Sequence, residues 1–88
     1  MGWDPGLLPM RMRFRSELKT AVAQAVREQV PEDQIERVVD ELGGEVPEED
    51  REAFLRLVRE ELASLHEGNF ARYHLRPSEF RAWKASRE

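Results

Sequence analysis

Three stretches of this chain carry apolar residues three and four positions apart, and none shows the sustained alternation of a half-buried strand. That pattern restricts the chain to helices packed on helices. The first stretch places Phe14, Leu18, Ala21, Val22, Ala25 and Val26 on one face, with Glu17, Lys19, Gln24 and Arg27 opposite. Ser16 is placed to cap it, its first turn reaches back towards Met10, and Pro31 stops it. The second stretch, Ile35, Val38, Val39 and Leu42, is bounded by Pro31 and by Gly43-Gly44. The third carries Phe54, Leu57, Val58, Leu62 and Leu65 with no Gly or Pro from Glu48 through Glu67, which makes it the expected central helix. The expected fold is all-α: a small bundle of three main amphipathic helices plus a short helical C-terminal tail. Helices are expected at about 10–29, 31–42, 48–66 and 78–86, within a single domain over 10–88. Residues 1–9, with Trp3, Pro5, Gly6 and Pro9, read as a flexible arm or a strap that docks Trp3 on a partner.

A weak internal echo links the second and third stretches, Val30-Pro31-Glu32-Asp33 and Val46-Pro47-Glu48-Glu49. Both read as helix starts. Proline suits a first turn and acids favour the positive end of the helix dipole, so shared local physics explains the echo without a duplicated domain.

With 88 residues, the chain fills one domain, and a core of that size buries only about 60% of the unfolded surface. Small domains gain further stability from disulfides, a metal or a partner. Cys is absent, which closes the first route and removes thiolate ligands for structural zinc, leaving a partner chain as the expected support. The longest apolar runs are a few residues, against the roughly 20 that a membrane span needs. The N-terminus puts Asp4 and two prolines ahead of its bases, the reverse of an export signal. The expected setting is soluble and cytoplasmic, with no membrane partner.

Charge is unevenly spread. Residues 1–30 carry net +2, residues 31–67 carry −9 and residues 68–88 carry +3, within a total of −4. Basic ends folding onto an acidic centre, in the same chain or in a second subunit, are the plain reading. The acidic total weighs against nucleic acid unless the bases share one face.

Enzymatic chemistry finds little material. His66 and His74 lie eight apart with Gly68 between them, so they form no i, i+4 metal pair, and no Cys completes a site. There is no nucleophile beside a base, no phosphate-cradling glycine loop and no Asp cluster of metal-loop spacing. Neither a cofactor, a metal nor a small-molecule substrate is expected. The basic run Met10-Arg11-Met12-Arg13-Phe14-Arg15 is too short to hold a membrane surface, and its arginines read as solvated on the first helix.

The tail from Gly68 mixes Phe70, Tyr73, Phe80 and Trp83 with Arg72, Arg76, Arg81 and Lys84. Asn69 is placed to cap a turn through His74, and Pro77 or Ser78 opens a last helix with Phe80 and Trp83 on one side. The pairs Ala71-Arg72, Pro77-Ser78 and Trp83-Lys84, ending one helix, opening the next and following it, resemble the helix-turn-helix of transposase-like and homeodomain-like proteins. That resemblance covers about a fifth of the chain and implies Ser78, Glu79, Arg81 and Lys84 in the DNA groove, with Arg72 or Arg76 on phosphates. The turn departs from the family pattern, lacking its glycine and running one residue short, and Gly68 interrupts the supporting helix. The first functional reading is therefore a non-enzymatic interaction or regulatory module that forms a homodimer or binds another protein, with Trp3, Phe70, Tyr73, Phe80 and Trp83 as contact residues. The second is a small DNA-binding regulator using residues 69–84.

Overall fold

A computed structural model describes residues 8–42 and 45–87; Trp3 and Gly43-Gly44 lie outside them. The architecture is all-α: α1 (Leu8–Arg13), α2 (Arg15–Arg27), α3 (Ile35–Asp40), α4 (Arg51–Ala63) and α5 (Pro77–Ser86), with 3-10 turns at Glu32–Gln34, Glu48–Asp50 and Phe70–Tyr73. Among the described residues there is no strand, and no helix is long and apolar enough to cross a membrane.

The first expected helix is two. Phe14 leaves helical geometry at φ −110° and ψ 34°, which turns its ring into the core, edge-on to Phe54 at 6.0 Å between centroids. Its carbonyl accepts from Leu18 N at 2.8 Å, so α2 starts immediately after it and Ser16 lies inside the helix instead of capping it. Helical structure also begins earlier than expected, at Leu8, with Pro9 in the tolerant first turn. At the other end Gln29 adopts a left-handed φ of 50°. Val30 N then donates to Ala25 O and Gln29 N to Val26 O, a Schellman ending that precedes Pro31 and tucks Val30 into the core.

The sequence echo is a structural echo. Pro31 and Pro47 are both extended, with ψ of 152° and 148°. Each carbonyl accepts from the third residue on, Gln34 N and Asp50 N, at 2.9 Å. A three-residue 3-10 turn leads into an α-helix in each case, and the preceding valine is buried. Each proline thus stands one step outside the turn that it introduces.

The hub is α2, not the expected α4. It packs against α1, α3, α4, α5 and the 70–73 turn, whereas the main partners of α4 are α2 and α3. Small side chains explain this: Ala21, Ala23 and Ala25 are buried with Leu18, Val22 and Val26, so neighbours approach α2 closely over a wide arc. Helix α4 presents larger residues, Phe54, Leu55, Leu57, Val58 and Leu62, over a narrower stripe. It stops at Ala63, short of the expected end, because Asn69 ties down the following loop. Asn69 Nδ2 donates to Ser64 O at 3.1 Å, and its Oδ1 accepts from His66 N at 2.8 Å. Asn69 therefore closes α4 and makes no side-chain cap for the turn after it.

Candidate anion-binding cleft

The aromatic residues of the tail pack inward. Tyr73, Phe80 and Trp83 are 7%, 2% and 5% exposed, and half-buried Phe70 stacks on Phe80 at 4.8 Å with rings 8° apart. Burial follows from α5 itself. Pro77 starts the helix, Arg76 N is capped by Glu79 Oε1 at 2.8 Å, and Phe80 and Trp83, three apart, then face α2 together. These side chains complete the core of the single chain.

The bases of the tail are on the outside. Arg72, Arg76, Ser78, Arg81 and Lys84 are all exposed, and the four cations among them make no ion pair among the described residues. The element before α5 is a single 3-10 turn of four residues. It ends at His74, whose left-handed φ of 59° makes the corner. His74 O accepts from Arg27 Nη2 at 3.0 Å, and His66 Nδ1 accepts from Gly68 N at 2.9 Å, so both histidines stand in local loop structure. Among the described residues no group of three or more His, Cys, Asp or Glu is arranged to hold a metal ion.

A concentration of charge that the sequence reading took for a solvated helix face lies along α1 and α2. Every fourth position from residue 11 to residue 27 reads Arg11, Arg15, Lys19, Ala23, Arg27. Positions four apart share a helix face, and the ridge survives the break at Phe14. Arg11, Arg15 and Lys19 line one cleft of about 510 Å³ together with Met12, Leu18, Glu61, Arg72 and Tyr73. Lys19 and Tyr73 also line an adjoining cleft of about 490 Å³ that continues past Ala23 to Arg27 and His74.

Inside the first cleft four cations face one carboxylate, and that carboxylate is engaged. Glu61 Oε2 accepts from Arg11 Nη1, and Glu61 Oε1 accepts from the Tyr73 hydroxyl. Burial, then the bond to Glu61, pushes the Tyr73 phenol above its ordinary value near 10. It therefore remains a donor at neutral pH and cannot act there as a base. Arg15, Lys19 and Arg72 carry no ion pair among the described residues. Met12, 72% exposed and the one large hydrophobic side chain so exposed among the described residues, stands at the same cleft.

A group of acidic side chains carries the opposite charge. Glu48, Glu49 and Glu52, at the start of α4, are exposed and unpaired among the described residues. The molecule thus has a basic cleft with Met12 at its lip and an acidic shoulder beside Asp50, which pairs with Arg13 of α1 at 3.7 Å. No protein-family model matches the chain, and neither does any curated protein or solved structure.

Proposed function

We propose that this chain is a non-enzymatic helical interaction module that pairs with a second copy of itself, the basic cleft of each copy receiving the acidic shoulder of the other. The observation that carries the reading is the excess of unpaired cations at a cleft whose edge is Met12, in a chain that is net acidic. A two-fold pairing satisfies both surfaces twice, because the same patches meet in both directions. The lack of cysteine fits a reducing, cytoplasmic setting.

Sedimentation velocity tests this at about 100 µM protein, in low salt and in about 0.5 M salt, where screening shortens the reach of charge to a few ångströms. A dimer that dissociates at high salt is expected. Arg15→Glu with Arg72→Glu should give a monomer, as should Glu48→Lys with Glu49→Lys and Glu52→Lys. Mixing the two variants should restore a heterodimer. A wild-type monomer in low salt sinks the reading.

A second reading has its own observation: Arg72, Arg76, Arg81 and Lys84 are exposed together on the tail, as a DNA-binding regulator requires. Titration of labelled duplex from a random pool decides it. Enrichment of a defined sequence, lost in Arg81→Ala or Lys84→Ala, supports the regulator, whereas weak uniform binding reflects only basic side chains.

A further inference from the structure

We infer that the cleft between α1, α2 and the 70–73 turn is a binding site for a phosphate monoester, held by Arg15, Lys19 and Arg72. The inference goes beyond self-association, because the site takes its ligand in a single chain and a second copy then competes for the same cations.

Three observations lead to this chemistry. First, the cleft's own carboxylate is satisfied from within: Glu61 is bound by Arg11 on one oxygen and by Tyr73 on the other. Arg11 and Glu61 therefore cancel, and the charge left is that of Arg15, Lys19 and Arg72. Second, those three come from two separate elements, the ridge of α2 and the 3-10 turn, so they approach the space from different sides. A carboxylate carries one charge and two oxygens. A phosphate monoester near neutral pH carries close to two charges and three terminal oxygens, so it can satisfy three cationic donors at once. Third, the cleft of about 510 Å³ exceeds what one phosphate fills, and its remaining wall is apolar, with buried Leu18 and exposed Met12. That wall suits the organic body to which the phosphoryl group is esterified. The two guanidinium forks give the directional contacts and the Lys19 ammonium a point charge.

Three other arginines are already engaged. Arg37 and Arg51 are each occupied by two carboxylates, and Arg27 is held by Glu79 at 3.3 Å and by His74 O. Arg81 and Lys84 are exposed on α5 and line neither of the two clefts described above.

The test is a two-dimensional amide NMR titration of the full chain at low protein concentration, with ionic strength held constant by exchanging sodium chloride for sodium phosphate. A neutral peptide bearing one phosphoserine forms a second arm. Localised, saturable shifts at Arg15, Lys19, Arg72 and Tyr73 are expected, with a Kd on the order of 1 mM for inorganic phosphate. The peptide should bind several-fold tighter and shift the Met12 methyl, which assigns the ligand as an ester. Equal affinity for both probes would overturn the ester and leave a free-phosphate site. Arg15→Gln with Arg72→Gln should weaken binding about tenfold or more, whereas Arg81→Gln should leave it unchanged. Shifts spread evenly over Arg76, Arg81 and Lys84, or none in the cleft at about 20 mM phosphate, twenty times the expected Kd, would overturn the site. Because binding is read in the monomer, a chain that binds phosphate but never dimerises refutes self-association and leaves this inference standing.

Discussion

Arginines in two regions of this molecule keep different company. Beside α3, Arg37 reaches Glu28 and Glu41, and Arg51 donates from Nε and Nη2 to a single oxygen of Asp40 at 3.0 and 2.6 Å, with Glu36 at 3.7 Å. The bond to Asp40, and then its charge, hold the Arg51 guanidinium still more firmly protonated than usual. At the cleft, Arg15 and Arg72 have no such partners. Residue type alone does not separate the two sets, and neither does exposure. What separates them is whether acids stand within reach, and this teaches that a cation count does not tell structural cations from uncompensated ones.

That contrast holds only on an intact scaffold, so the largest expected effect is on packing. Trp83→Ala should cost about 3–5 kcal/mol and Leu57→Ala about 2–5 kcal/mol in denaturant unfolding, since both are buried. If Trp83→Ala left stability within about 0.5 kcal/mol while abolishing dimer formation, Trp83 would be an interface anchor instead of core. Trp83→Phe should be much milder, because the indole Nε1 is buried without a hydrogen-bond partner and its removal relieves an unsatisfied donor.

Arg11→Ala sharpens the comparison within the cleft itself. Arg11 is the paired member there, so its loss should cost about 1 kcal/mol by leaving the half-buried Glu61 with Tyr73 alone.

Tyr73 adds a pH dependence from the same network. Its phenol is raised above the unfolded value near 10, so the folded state retains a proton that the unfolded state releases. The stabilisation is fully present below pH 10 and is lost as pH rises through the folded value. Tyr73 is the chain's one tyrosine, so phenolate absorbance reports it directly. Ionisation should appear only with alkaline unfolding, and Tyr73→Phe should flatten stability above pH 10. A free titration near 10 in the folded protein would refute the buried bond.

The smallest effect is expected where the cations are unpaired. Arg15→Ala and Arg72→Ala should change stability by less than about 0.5 kcal/mol. A loss above about 1 kcal/mol at either position would show a structural contact and erase the distinction between the two sets.

Much of the fold was readable from spacing. The expected stripes are buried apart from Leu42, half-buried just past α3, while Ala23 and Leu55 join the core without having been read as part of it, and Pro77 opens α5 as its fixed φ requires. The pairing of Phe80 with Trp83 on one side of α5 was also visible, because three residues make nearly one turn. Their role was less readable: an aromatic stripe looks the same whether it faces its own core or a partner. The ladder of Arg11, Arg15, Lys19 and Arg27 stood in the sequence at i, i+4 spacing, but the same spacing describes any solvated helix face. Its partner Arg72 is 53 positions from Lys19, and nothing local links them.

The sequence by itself determined which segments are helical, though not their exact ends, and which face of each is apolar, because periodicity, proline and small residues act within a few positions of themselves. The tertiary structure decided the hub, the break at Phe14 and the cleft. The many alanines of α2 set how closely neighbours approach, the Phe14 ring had to meet Phe54 forty positions away, and Glu61 and Tyr73 had to come together to leave three cations uncompensated. Each of these depends on contacts between residues distant along the chain, and the free energy of such contacts is set by geometry that no local pattern encodes.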